Sequence, residues 1–485
     1  MGLARPQVEV KDTPENEIRR LVALQKSKHV VDGPMSAERR IDLIDRCIAL
    51  LVDRQDDIIE VINKDFGNRS PEGTLASDIA GTIGALKHAK KNVRKWMKPS
   101  KRRSMFPLGI LGAKTRVDYQ ALGCVGNVVP WNFPFNLAFG PMGSIFAAGN
   151  RTILKPSEFT PYSSILIKEL VEEYFEEDES AVVLGGPDTG AVFSTMPFDH
   201  LLFTGATAVA SHIMRAAAEN LVPVTLELGG KSPVIVSKSA DVKKSAARVM
   251  TGKTLNAGQI CLAPDYVMVA EEKIDEFVKE ARSAVEAMFP TIKDNSDYTS
   301  IINKRHYNRL QSYLHDAREK GATVIEINPA GEDFSQQLHY KMPPTIIVEP
   351  TDDMKVMKEE IFGPILPIKS YSGVEQAIRY VNEHDRPLGL YYFGEDRAEE
   401  NEVVKNTTSG GVSVNDVITH IMQDDAPFGG VGLSGTGAYH GFEGFINFSH
   451  AKTVFRQTSF EFAAGLMRPP YGKKIRSAMA SIVKK

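Results

Sequence analysis

The sequence predicts an α/β fold built on parallel strands, and three observations carry that reading. From residue 117 onward, short β-rich runs alternate with helical stretches, the pattern of strands joined by helical crossovers. After residue 231 the same alternation resumes in a second stretch. The length, 485 residues, suits about three domains and is ample for large buried cores.

The first hundred residues read as helices. In SAERRIDLIDRCIALLVDRQDDIIEVINKDFG, Ser36 is placed as an N-cap, and Ile41, Ile44, Ile48 and Leu51 recur at helical spacing. Cys47 falls on the same apolar face and reads as core. A second helix runs from about Leu75 to near Pro99. Residues 87–103, KHAKKNVRKWMKPSKRR, are strongly basic but almost lack the aromatic interleaving that nucleic-acid binders use for stacking. They read as a solvated helix face running into a loop. The strand runs LGCVGNVVPW, GNRTILKPS, HLLFTGA, PVTLELGG and SPVIVS follow, with helices such as SSILIKELVEEYF and AVASHIMRAAAEN between them. Cys124, inside the first run, reads as buried. The second stretch holds DEFVKEARSAVEAMF, KMPPTIIVE, FGPILPIKSY, VEQAIRYVNEH and SGGVSVN. No internal repeat or low-complexity linker marks a boundary.

Composition narrows the function classes. Hydrophobic residues make up 42% and charged residues 25%, ordinary for a globular protein, and a net charge of −3 points to no polyanionic or polycationic partner. Three cysteines are too few for a disulfide framework and suit a reducing compartment, where a lone cysteine is either core or reactive. The start, MGLARPQVEVKD, has no apolar signal core, and no run of about 18 apolar residues is present. The expectation is a cytoplasmic protein that neither spans a membrane nor binds nucleic acid.

Several motifs carry candidate chemistry. PWNFPF, residues 130–135, must end a strand, because proline cannot continue one. Asn132 there offers an amide donor at the strand end where α/β ligand sites lie; the plainer alternative is a turn residue. LKPSEFTP, residues 154–161, puts Lys155 and Glu158 at a strand–helix junction, with Pro156 opening the helix. They suit an adenosine ribose or phosphate, or are only exposed charges at a capped helix start. LFTGATAVASHI resembles a phosphate-cradling turn but has Gly205 alone, with Ala210 at a later small position, and is weak as a nucleotide signal. In TLELGGKSP, Glu227 ends a strand beside Gly229 and Gly230, which makes it a candidate base or a solvated strand-end charge. EEIFGPILP pairs Glu360 with Phe362, suited to ribose hydroxyls and a nicotinamide ring, although a charged turn is the simpler reading. PFGGVGLSGTGAYHG, residues 427–441, is a glycine-rich loop of the kind that runs over a surface or against a ligand. LNAGQICLAPDY places Cys261 on a bend bounded by glycine and proline.

In this order PWNFPF, KPSE, FTGAT, ELGGKSP, GQICLAPDY, EEIFGP and PFGGVG resemble the aldehyde dehydrogenase superfamily over nearly the whole chain, to about Lys452. CLAPDY and GTGAYHG resemble its class 3 branch, and GALKHAKKNVRKWMKP with AAAENLVPVTLELGGKSP resembles the coniferyl aldehyde dehydrogenase group within it. The resemblance implies two Rossmann-like parallel-sheet domains and a small β-rich bridging and oligomerisation element. The expected boundaries are 1–100 with 124–227 for the NAD(P)-binding domain and 228–427 for the catalytic domain. The bridging element takes 101–123 with 428–485, where HAKTVFRQ reads as a strand.

The same resemblance implies the roles. Cys261 would be the nucleophile, Asn132 with the Cys261 N–H the oxyanion donors, and Glu227 the base that activates water against a thioester. Lys155 and Glu158 would hold the adenine ribose, Glu360 the nicotinamide ribose and Phe362 the ring, with Gly205 letting the chain pass near the cofactor. Ala210 departs from the glycine common at that turn. NAD is the expected cofactor, since a carboxylate at Glu158 repels a 2′-phosphate, with NADP accommodated if that side chain swings aside. The family's substrate channel would be lined by Phe133, Thr251, Leu255, Ile421 and Met422, apolar and uncharged, which suits an aromatic or arylpropenal aldehyde such as coniferaldehyde. A medium-chain aliphatic aldehyde is the competing substrate. A CoA-acylating enzyme and a silent dinucleotide-binding relative are the rival functions; Glu227, which acylating relatives generally lack, speaks against the first, and Cys261, Asn132 and Glu227 together speak against the second. A homodimer or tetramer is expected, and the basic tail FAAGLMRPPYGKKIRSAMASIVKK is expected to pack on its own or a partner subunit.

Overall fold

The computed structural model describes residues 8, 10–106, 108–461, 465, 468–480 and 482–484. The N-terminal seven residues and parts of the basic tail therefore lie outside the described residues. The molecule is mixed α/β, with three sheets among the described residues.

The first sheet has six strands in the order Gly435–Thr436, Val224–Glu227, His200–Thr204, Cys124–Val128, Arg151–Lys155, Ser180–Val182. The last five run parallel, and the two-residue edge strand is antiparallel. From Cys124–Val128 the chain steps outward on one side to Arg151–Lys155, then returns to His200–Thr204 on the other. The crevice beyond the C-terminal end of Cys124–Val128 is thus a topological switch point, where open α/β sheets bind ligands.

The second sheet has seven strands in the order Thr323–Glu326, Thr345–Val348, Ile365–Tyr371, Tyr266–Ala270, Pro233–Val236, Gly389–Phe393, Gly411–Val414. All pairs are parallel except the first. Buried on both faces, its strands read as continuous apolar runs such as PVIV and YVMVA. The third sheet joins Ser100–Arg102, Lys114–Ala121 and Ser449–Arg456, all antiparallel.

The N-terminal helices cover the first sheet. Ser36 Oγ accepts the Arg39 N–H at 3.2 Å and caps Ala37–Asp53, whose buried stripe includes Ile44, Cys47 and Leu51. The run read as one segment breaks at Arg54 into a second helix, Gln55–Phe66. The helix expected from Leu75 opens instead as a π-helical turn, Leu75–Ala80, before Gly81–Trp96. Lys87, Lys91, Arg94 and Lys95 are exposed, as a solvated face requires, but the basic run then enters the strand Ser100–Arg102 and not a loop. Cys124 is buried and its thiol donates to Gln25 Oε1 at 3.2 Å. The C-terminal helix Lys473–Ala480 is largely exposed.

Candidate active site

Four of the sequence-selected residues follow the C-terminal ends of strands in the first sheet. Asn132 lies beyond Val128, Lys155 ends its strand, Gly205 follows Thr204, and Glu227 ends Val224–Glu227. Pro130 halts the first of these strands, and Pro134 starts the helix Pro134–Ala148. Asn132 is held between them, buried, and its Nδ2 donates to Gln259 O at 3.2 Å, two residues before Cys261.

The second sheet contributes differently. Cys261 precedes the strand Tyr266–Ala270, and Glu360 and Phe362 precede Ile365–Tyr371, so this sheet meets the site with strand N-terminal ends. Helix Val242–Thr254 stops, and three successive residues adopt positive φ: Asn256 at 49°, Ala257 at 50° and Gly258 at 73°. For Asn and Ala this conformation costs on the order of 1–2 kcal/mol each. Gln259 offsets that cost by closing the bend: its Nε2 donates to Asn256 O (2.9 Å) and Ser300 O (3.0 Å), and its Oε1 accepts from Ile302 N (3.0 Å). Gly258 is needed for space as well, because a β-carbon there would strike the carbonyl of Gly363. Beyond the sulfur, Tyr391 Oη donates to Leu262 O at 2.6 Å. Cys261 is partly exposed, while Cys47 and Cys124 are buried. Burial, then the Glu360 and Glu227 carboxyls, push the Cys261 thiol up to about 12.

Glu227 is not a solvated strand-end charge. It is 3% exposed, and neither carboxyl oxygen has a hydrogen-bond partner. Burial raises its pKa well above the ordinary carboxylate range. A buried, unsatisfied carboxyl is destabilising, and such strain concentrates where chemistry is done. The glycine-rich loop seals this strand: Gly435 and Thr436 pair with Glu227 and Leu226, so the loop contains a short strand that its composition concealed. Its glycines allow backbone to meet backbone, since β-carbons at Gly429 and Gly430 would overlap the carbonyls of Gly437 and Ser434.

The cofactor candidates form a second group. Lys155 is buried and donates to Gly185 O (2.7 Å) and Pro156 O (3.2 Å), with Glu158 Oε2 at 3.8 Å. Burial lowers its pKa. The helix expected to open at Pro156 starts at Pro161, because Ser157 Oγ caps a local turn by accepting the Phe159 N–H, which leaves Glu158 exposed. Glu360 Oε1 is buried without a partner, and burial with nearby Asp265 lifts the carboxyl to about 8. A β-carbon at Gly229 would overlap that carboxylate, which explains the glycine. Phe362 has φ 45°, and its ring meets Trp131 edge-on at 5.3 Å. Gly205 lies against the Phe203 ring with no room for a β-carbon, and Ala210 is buried in the helix Thr207–Ala218. An unpaired acceptor, a glycine cradle and an exposed carboxylate near a lysine fit a dinucleotide.

The expected pocket residues divide. Phe133 and Ile421 border the same apolar core as Cys261 and Trp131. Leu255 and Met422 are exposed, at 42% and 70%. Thr251 is exposed, and its hydroxyl donates to Ala247 O at 2.8 Å and lies 3.6 Å from Met288 Sδ.

Sequence reading missed several site residues. Asp265 and Lys231 form an ion pair, Asp265 also accepts the Ile361 N–H (2.8 Å), and Lys231 donates to Val356 O and Glu359 O. Together they bind ELGGKSP, CLAPDY and EEIFGP into one unit. Arg309 reaches Glu360 O (3.3 Å) and Phe362 O (3.4 Å) from the helix Lys304–Glu319. Tyr439 is buried, and the neighbouring Glu227 and Cys261 raise its pKa further; its place within the glycine-rich loop was the available signal. Arg69 and Asp78 had none, being read only as parts of helices.

Comparison with known proteins places this geometry among relatives. The profile described as aldehyde dehydrogenase family matches residues 5–454. The chain is 60% identical over 463 residues to a probable coniferyl aldehyde dehydrogenase of Caulobacter vibrioides, covering 95% of this chain and 96% of that one. It is 55% identical over 458 residues to the coniferyl aldehyde dehydrogenase of Pseudomonas sp. HR199, covering 94% of each. Among solved structures, substrate-bound Staphylococcus aureus AldH matches with a TM-score of 0.89 at 33% identity, over 96% of this chain and 99% of that one. A Mycobacterium tuberculosis aldehyde dehydrogenase complexed with NAD+ matches with a TM-score of 0.83 at 25% identity, over 93% and 92%.

Proposed function

The chain belongs to the aldehyde dehydrogenase family, and from that premise we propose that it oxidises an aromatic or arylpropenal aldehyde of the coniferaldehyde class to the carboxylic acid through a thioester on Cys261. It is an NAD(P)-dependent enzyme. The observation that carries the site assignment is convergence. The Asn132 amide reaches the cysteine bend at Gln259 O, and the Glu227 carboxyl acts on the Cys261 thiol.

Cys261 gives up its proton to solvent and its Sγ adds as the thiolate to the carbonyl carbon, while Asn132 Nδ2 with the Cys261 N–H holds the oxygen that becomes negative. Lys155 and Glu158 would hold the adenosine end of a nicotinamide dinucleotide, and Glu360 and Phe362 its nicotinamide end, where it would supply the hydride acceptor. Glu227 then takes a proton from water as that water attacks the acyl carbon, and returns it to the departing Cys261 sulfur, which leaves as the thiol. Both Glu227 oxygens are free to receive that proton, which supports hydrolysis over transfer to a carrier thiol. NAD is preferred, because Glu158 stands exposed where a 2′-phosphate would approach.

The proposed units are a cofactor domain of 1–100 with 124–227, a catalytic domain of 228–427 and a bridging element of 101–123 with 428–485. A homodimer is the proposed assembly: Ser449–Arg456 is an eight-residue sheet edge, mostly exposed, of the kind that another chain covers. No helix among the described residues is long and apolar enough to cross a membrane, and the cytoplasm is the proposed compartment.

Comparing kcat/KM for coniferaldehyde, benzaldehyde, hexanal and succinic semialdehyde, each with NAD and with NADP, tests the substrate. An advantage for the two aromatic aldehydes is expected. A clear preference for hexanal would keep the mechanism and retire the aromatic assignment, and one for succinic semialdehyde would overturn the pocket reading.

A further inference from the structure

We propose that Arg69 and Asp78 are a positioning pair that sets the oxyanion donor, an inference that rests on the reading of Asn132 as that donor. The two side chains lie nine residues apart, on the turn before and within the π-helical segment Leu75–Ala80, and both are buried, at 3% and 0% exposed. Arg69 Nη2 donates to Asp78 Oδ2 at 2.6 Å and to Ser77 Oγ at 3.0 Å.

The pair spends its remaining hydrogen-bonding capacity on one loop. Arg69 Nη1 donates to Asn132 O at 2.7 Å. Asp78 Oδ1 accepts the N–H groups of Phe135 and Asn136 at 3.2 and 3.3 Å, the first turn of Pro134–Ala148. The guanidinium also stands 4.8 Å from the centre of the Phe133 ring and 5.1 Å from that of Phe66. Residues 132, 133, 135 and 136 are thus all contacted by one ion pair carried on a different segment, with Asn256 Nδ2 also donating to Asn132 O at 3.2 Å.

A buried ion pair is weak evidence for stability, since desolvating two charges consumes most of what their attraction returns. Geometric control is what this one provides. The Asn132 peptide cannot rotate without breaking the Arg69 bond, and the amide that must meet a developing oxyanion turns with that peptide. Displacement of such a donor by about 1 Å is costly to turnover, because hydrogen bonds to the reacting oxygen are worth most when preorganised. Neither residue touches substrate or cofactor; both act through Asn132.

The test is a double-mutant cycle in the full-length enzyme. Arg69→Lys and Asp78→Asn are made alone and with Asn132→Ala, and kcat, KM for NAD and melting temperature are measured for each. Arg69→Lys keeps the charge but loses the planar fork, and a fall in kcat of about tenfold is expected with KM for NAD unchanged. In the Asn132→Ala background the same change should lower kcat less than about twofold, since the donor it positions is gone. A purely structural role would lower kcat by the same factor in both backgrounds, and that result overturns the proposal, as does wild-type kcat in Arg69→Lys. Asp78→Asn runs the same cycle if Arg69→Lys does not fold. Wild-type kcat in Asn132→Ala would remove the underlying reading and the pair's role together, whereas a slow Asn132→Ala with no coupling would remove only the pair's role.

Discussion

Replacing Glu227 by Gln should make the enzyme slower and more stable at once. Both carboxyl oxygens are buried without partners, and burial raises the group's pKa well above the ordinary carboxylate value. A carboxyl with a raised folded-state pKa binds its proton more tightly in the native chain than in the unfolded one. Below the unfolded value of about 4.3 both states are protonated and there is no penalty; above it the native state loses stability progressively, until the folded pKa is passed. Each unit of elevation is worth about 1.4 kcal/mol. Gln has the same shape and no proton to lose, so the variant should melt above wild type at pH 8, with the gap closing below about pH 4. Activity should move the other way. In the proposed mechanism hydride leaves before Glu227 is needed, so rapid mixing with NAD and aldehyde should give a burst approaching one NADH per site. The steady rate should then fall by about 10²–10⁴, the usual worth of a positioned base. Two assays, stopped-flow absorbance at 340 nm and melting against pH, read the two halves. Loss of the burst along with the steady rate would mean that Glu227 serves the thiol as well as water, and a lower melting temperature at pH 8 would refute the burial argument.

Other outcomes follow from the same geometry. Cys261→Ala should abolish NADH formation while the dissociation constant for NAD, by calorimetry, changes less than about twofold, since sulfur holds no part of the dinucleotide; retained turnover would displace Cys261 from its role. Alkylation of Cys261 by iodoacetamide in the cofactor-free protein should rise about tenfold per pH unit between pH 7 and 10, because a thiol pushed up to about 12 is still almost wholly protonated there; a plateau by pH 8.5 is the contrary result. Gly229→Ala should raise KM for NAD at least about tenfold with a smaller effect on the burst rate, since its β-carbon displaces the Glu360 carboxylate; an unchanged KM would separate Glu360 from the cofactor.

Residues at strand ends were legible in the sequence because short apolar runs are cut there by proline or glycine: Asn132 after VVPW, Lys155 before Pro156 and Glu227 before Gly229 all sit where the run stops. The side chains that hold these residues were not. Arg69 meets Asn132 across 63 positions and Gln259 meets Ser300 across 41, and no local period encodes such pairings. Where local rules competed, tertiary contacts won. Pro156 looked like a helix start, yet Ser157 folds a turn and the helix waits for Pro161. Thr251 was expected at the channel from the family resemblance alone, and its hydroxyl bonds back to Ala247 O one turn earlier.

The pairing of Gly435–Thr436 with Leu226–Glu227 has a consequence for synthesis on the ribosome. The parallel strands of the first sheet, Cys124 to Glu227, are complete before half the chain has been made. The strand that closes over the catalytic carboxyl is translated more than 200 residues later, after the whole of the second sheet. A nascent chain in that interval lacks the edge strand that lies beside Glu227. The closed surroundings of Glu227 are therefore completed by residues that follow it by more than 200 positions.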